Sequence, residues 1–286
     1  MMSKIRYFLI AASMLALPLS ALAQQVFEQP EQAAQALVKA IADNDSEALK
    51  NILGDDWRQY LPEDSVEQTA VDRFLRDWQV SHHIEQQGDS AYLNVGDNNW
   101  QLPLPMVKIH NGWSFDMQKA ADEIDTRHIG RNELSAIGAM SAFVDAQKEY
   151  WAHGMNQYAQ KIISSDGKKD GLYWPVKEGE APSPLGPAFG QDHPGTDYHG
   201  YYYRILSAQG ASAKGGELSY LDNGKMTKGF AMLAWPVAYG HSGIMSFMVN
   251  QDGVVYQRDL GIDSDALARK ISLFDPDKNW QVVQSH

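Results

Sequence analysis

The chain has 286 residues, with 24 basic against 36 acidic side chains, a formal charge of −12 and no cysteine. That balance argues against nucleic acid and anionic lipid as partners, because both require a basic footprint. The lack of cysteine excludes disulfides, thiolate metal sites and cysteine nucleophiles.

The first element in chain order is a leader. Lys4 and Arg6 precede an apolar run from Tyr7 to Ser20, and Ala21-Leu22-Ala23 then supplies small-x-small spacing. This order predicts a signal peptide over residues 1–23, cleaved after Ala23. The run is interrupted by Pro18 and falls short of the ~20 apolar residues that span a bilayer. No cysteine follows, so no lipid anchor is expected. The processed chain would start at Gln24, carry a charge of −14 and reside in the periplasm or outside the cell.

Residues 24–118 read as a first α+β domain. Pro30 suits a first helical position, and Ala33, Ala34, Leu37, Val38 and Ile41 mark one helical face. Asp45 or Ser46 caps a second helix that Gly54 ends. A third is predicted over Val71–Val80, with Phe74, Leu75 and Trp78 inward. The period then changes. Ile84–Gln86 and Ala91–Val95 flank a turn at Gln87-Gly88-Asp89, and Trp100, Leu102 and Leu104 alternate with other positions. Val107–Ile109 and Trp113–Phe115 flank His110-Asn111-Gly112, where Asn-Gly is a strong hairpin signal. Helices followed by an antiparallel meander are similar in outline to the cystatin-like and NTF2-like folds.

Gln118–Asp125, polar and acidic, reads as the boundary to a second α+β domain, residues 119–286. Asn132 is predicted to cap a long helix reaching Trp151, with Leu134, Ile137, Met140, Val144 and Gln147 on its stripe. Residues 164–200 are too rich in Gly and Pro for helix or central strand. Tyr173, Trp174, Leu185 and Phe189 in that stretch predict an ordered loop. Strands are expected over Tyr201–Ser207, Gly229–Trp235, Gly243–Val249 and Val254–Asp259, with a short helix over Asp265–Leu273. The expected arrangement is a long helix packed on an antiparallel sheet.

Several of these segments carry a family resemblance. Asp122-Glu123-Ile124, Ile129-Gly130-Arg131-Asn132-Glu133-Leu134, Asp170-Gly171-Leu172-Tyr173-Trp174, Tyr198–Arg204 and Gly253–Gly261 resemble the DUF2950 family. The resemblance covers essentially the whole processed chain and implies an exported bacterial protein; it carries no catalytic residues. His128 stands where a second arginine is expected before Ile129. The C-terminal half also resembles the globular part of type IV pilins and pseudopilins, which implies fold alone.

Two clusters are candidates for ligand binding. Glu123, Arg127 and Arg131 lie in the densest run of charge near a predicted helix start, where anions are favoured. His199, Tyr201 and Arg204 lie on a predicted strand whose aromatic side chains suit a groove. The plainer alternatives are an ion-pair network for the first and sheet packing for the second. No metal site is expected: His82-His83 lacks a third ligand at suitable spacing, and Asn250-Gln251-Asp252-Gly253 lacks the acidic closing ligand of a calcium loop. No nucleophile motif or phosphate loop is present, so catalytic residues stay unknown and no cofactor is implied. Two readings remain open. One is a non-enzymatic binding or assembly module of the cell envelope, with another envelope protein as partner. The other is a periplasmic hydrolase or small-ligand enzyme with its site between the two domains, using Glu123, Arg131 and His199.

Overall fold

Helix signals from Pro30 onward resolve as the spacing dictates. The computed structural model describes residues 24–62, 67–110, 112–177, 179–186 and 198–284. The expected signal peptide, Asn111 of the second hairpin and Phe189 of the Gly/Pro-rich loop lie outside the described residues. Helix α1 (Pro30–Ala42) starts on its proline and buries Ala33, Ala34, Leu37 and Val38. Helix α2 (Ser46–Leu53) is capped by Asp45, whose carboxylate accepts from the Ala48 N–H, and stops at Gly54 with φ +104°. A single turn α3 (Trp57–Tyr60) and helix α4 (Gln68–Val80) follow. In α4 only Phe74 is buried, while Leu75 and Trp78 are half-buried.

The meander forms an antiparallel sheet. Strand β1 (His82–Gln87) pairs along its whole length with β2 (Ser90–Val95) across a two-residue turn at Gly88-Asp89. Strand β2 pairs on its other side with β3 (Trp100–Gln101) and with β4 (Met106–Ile109), which pairs with β5 (Gly112–Phe115). Leu102 and Leu104 are buried in extended chain rather than in a strand. Period-two alternation sends Ala91, Leu93 and Val95 into the core, whereas β1 is exposed at every position except half-buried Ile84. The segment before α1 runs along β5: Phe27 and Trp113 exchange both backbone hydrogen bonds. Gly112 sits there because a Cβ would lie 2.2 Å from the Phe27 carbonyl oxygen.

Helix α5 (Met117–Tyr150) starts earlier than expected. It is 34 residues long, Asp116 caps it by accepting from the Lys119 N–H, and Gln118–Asp125 is helical. Asn132 is therefore inside the helix, not at its cap. The chain packs as two compact units that divide between Glu123 and Ile124, inside this helix. After α5 comes a wide turn over Trp151–Met155, in which Gly154 has φ +82°.

In the second unit, β6 (Tyr201–Leu206), β7 (Ala231–Pro236), β8 (Met245–Asn250), β9 (Tyr256–Asp259) and β10 (Gln281–Val282) form one antiparallel sheet in the spatial order β10-β9-β8-β7-β6. Asn250–Gly253 makes the β8–β9 turn, with Gly253 at φ +77°. The closing helix, α6 (Ser264–Ala268), is shorter than expected. Met140, Phe143, Val144 and Tyr150 of α5 belong to the same buried cluster as Leu233, Phe247 and Phe230. Gln147 is wholly buried among them because both ends of its amide pair with the backbone of Ala159, at 2.8 Å each. The described part of the Gly/Pro-rich loop is ordered as expected, with Leu172, Trp174 and Leu185 buried. The architecture is α+β.

Two substitutions test this packing. A Cβ on Gly243 would lie 2.1 Å from the Tyr201 hydroxyl oxygen, so Gly243→Ala should cost about 1–3 kcal/mol by overpacking. Gly138→Ala, on α5 with nothing within 4 Å of the new methyl, should stabilise by about 1 kcal/mol. Urea denaturation checks both. Asp170 provides a pH test. Its carboxylate accepts from Lys161 Nζ (2.8 Å), the Ser165 N–H (2.7 Å) and Ser165 Oγ (3.0 Å). The Lys161 bond leads in holding it well below the usual carboxylate range. A depressed folded value gives stability above the ordinary carboxylate pKa and loses it as pH falls through the folded value. Asp170→Asn should therefore lower the urea midpoint at neutral pH, and the difference from wild type should shrink below about pH 4.

Candidate functional site

The first candidate cluster lies on α5. Residues 123, 127 and 131 are spaced by four, which places Glu123, Arg127 and Arg131 along one helical face. Glu123 and Arg127 are half-buried and Arg131 is exposed. Glu123 belongs to the first unit, and both arginines belong to the second.

The second cluster is built into packing. Tyr201 is wholly buried, and its hydroxyl donates to the Met245 carbonyl at 2.9 Å. Burial, then the charge of Glu133, pushes its phenol far above the ordinary tyrosine value. Tyr201 therefore anchors the core rather than lining a groove. Arg204 donates to the carbonyls of Ala268 (2.7 Å), Arg269 (3.2 Å) and Ile271, and its guanidinium lies 5.4 Å from the Trp235 ring centre. Ala268 is the last residue of α6 and Arg269 and Ile271 follow it, so Arg204 ties the end of α6 and the turn after it to β6. His199 is exposed at φ +51°, with its ring edge-on to Tyr198 at 4.3 Å.

The residues that join α5 to this strand were not all singled out by sequence. Buried Asn132 donates from Nδ2 to the Ser242 carbonyl (2.9 Å) and is 3.0 Å from His128 Nε2. Glu133 accepts at one carboxylate oxygen from the N–H groups of Ile244 and Met245, both at 2.9 Å. Gly200 comes so near that a Cβ would lie 2.9 Å from Asn132 Nδ2. The two segments picked from sequence, around Asn132 and around Tyr201, do meet. They meet through hydrogen bonds that satisfy backbone groups. The third participant is the stretch Ser242–Met245, at the start of the predicted strand Gly243–Val249.

A concave feature lies elsewhere, on the first unit. A cleft of ≈ 530 Å³ is bounded by the segment before α1, the end of α2, α3 and strands β4 and β5. Val26, Leu53, Val107, Ile109 and Met117 give it apolar walls; Asp56, Asp116, Tyr60 and Gln24 supply polar ones. Among the described residues, no lysine, arginine or histidine lines it. Val26 and Ile109 are 43% and 39% exposed there, so the walls present apolar surface to solvent. The N-terminal wall is fixed by Gln24, whose Nε2 donates to the carbonyls of Ile52 (3.0 Å) and Phe115 (2.8 Å). Asp116 is partly committed to capping α5, whereas Asp56 is exposed beside Gly54. Sequence reasoning passed over this cleft because its walls come from four separated segments with no shared motif. Among the described residues, no group of three or more histidines and carboxylates is placed to hold a metal. No described helix is long and apolar enough to cross a membrane.

Fold and cleft together define an α+β protein whose first unit carries an open, apolar and anionic cleft. The chain belongs to the DUF2950 family, described as a protein of unknown function, which it matches over residues 24–283. No curated protein and no solved structure matches it.

The role given to Arg204 is checked by Arg204→Ala. It should destabilise the second unit by about 2 kcal/mol, the range for hydrogen bonds to a charged group. Arg204→Lys should recover only part of that loss, because an ammonium lacks the planar fork. Thermal and urea unfolding of the purified protein read both.

Proposed function

We propose that this chain is an exported, non-enzymatic binding module of the bacterial cell envelope, processed after Ala23 and working in the periplasm, with the cleft of the first unit as its binding surface. One observation carries the reading: Asp56 and Asp116 line a cleft with apolar walls, and among the described residues no basic one lines it. A site of this composition favours an apolar group bearing a positive head, since contact area supplies affinity and charge supplies selection. The acidity of the whole chain, −12 before processing, draws such a ligand from a distance. In the envelope, the matching partner is a protein segment that presents a basic side chain beside apolar ones. Of the groups on α5 and β6 that suggested ligand binding, Tyr201 and Arg204 are occupied in packing. No observation among the described residues favours the hydrolytic alternative.

A minimal probe tests this reading. An alkylammonium should bind the processed protein saturably, and an alkyl sulfonate of the same chain length should not. Asp56→Asn should weaken the ammonium by about fivefold, the scale of one close charge contact of about 1 kcal/mol at an exposed site. Ile109→Asp, which places charge on the apolar wall, should abolish tail-length dependence. Titration calorimetry checks each. Equal affinity for both head groups, or indifference to Asp56, would overturn the proposal.

A further inference from the structure

Gln24 occupies an unusual position if the chain is processed after Ala23, because its side chain would then belong to the terminal residue. A terminal glutamine undergoes an intramolecular reaction. Its α-amine attacks Cδ, a new N–Cδ bond closes a five-membered lactam, the Cδ–Nε2 bond breaks, and ammonia leaves with the proton from the amine. No outside reactant is consumed. The reaction requires the amide to swing back onto the residue's own nitrogen.

The fold opposes that movement. Both hydrogens of Nε2 are committed, one to Ile52 O at 3.0 Å and the other to Phe115 O at 2.8 Å. Ile52 O lies in the last turn of α2, where carbonyls have no partner within the helix, and Phe115 ends β5. The backbone is pinned as well: the Gln25 N–H donates to Asn51 O at 2.8 Å, and Phe27 pairs with Trp113. The leaving nitrogen thus faces two carbonyls, and expelling it would remove a donor from each. We infer that Gln24 is a latch: in the processed chain the fold holds its amide uncyclised, and the open amide ties the terminal segment to α2 and β5 as one wall of the cleft. The inference rests on the processing assigned above, and it adds a specific chemical state for the mature terminus.

The test uses the full processed chain, released from a cleavable N-terminal tag so that Gln24 is the first residue however the natural precursor is cut. Intact mass follows loss of ammonia at neutral pH and physiological temperature. The references are the same chain in urea and a synthetic peptide of residues 24–30. The folded chain should cyclise at least about tenfold more slowly than either, the factor set by one hydrogen bond of upper ordinary strength, since reaction requires local opening. Equal rates in folded chain and peptide would overturn the latch. Gln24→Glu, which sets a carboxylate against the same two carbonyls, should lower the urea midpoint; an unchanged midpoint would also count against it. N-terminal analysis of the exported protein is a separate readout. A start other than Gln24 refutes the processing site while leaving the rate comparison decisive for the latch.

Discussion

A carboxylate with two backbone donors organises the second unit. Glu133 reaches from α5 to the N–H groups of Ile244 and Met245, where strand β8 begins. A carboxylate held by backbone N–H groups gains charge-assisted bonds without needing a cation. Next to it, Asn132 takes the Ser242 carbonyl, and Tyr201 takes the Met245 carbonyl from beneath. One stretch, from Ser242 to Met245, is thereby fixed by a helix on one side and by a strand on the other. The close approach of Gly200 and Gly243 is the steric condition for this arrangement. Larger residues there would separate the segments whose polar groups must meet.

The same economy recurs in a chain without disulfides. Gln147 pairs both ends of its amide with Ala159, Asp170 gathers Lys161 and Ser165, and Arg204 gathers the carbonyls at and after the end of α6. Each clasp satisfies groups that would be orphaned where a segment leaves regular structure.

How far the sequence could be read follows from this division of labour. Periodic elements were legible: Pro30, Asp45 and Gly54 bound α1 and α2 for local reasons, and turns at Gly88-Asp89 and Gly253 mark their hairpins. The start of α5 was not, because Gln118–Asp125 has no apolar stripe and its cap, Asp116, sits just after a strand. Candidate ligand residues were chosen as chemically expressive side chains in dense motifs. In Tyr201 and Arg204 that expressiveness is spent on the fold itself. The cleft depends on residues as far apart in sequence as Gln24, Asp56 and Ile109, and only folding brings them together. Spatial convergence of unremarkable residues leaves no periodic trace.

The exposed edge of the first sheet has its own consequence. Strand β1 presents polar side chains on both faces, so hydrophobicity hardly distinguishes its correct alignment with β2 from one slipped by a residue. Its alignment is set from the ends instead. The two-residue turn at Gly88-Asp89 holds one end, and His82, stacked on Trp78 at 3.7 Å, holds the other. Ring stacking and turn length thus act as the ruler for a strand that burial cannot measure. Between the two stops Glu85 and His83 add a mark of their own, because both reach the side chain of buried Asn94 on β2.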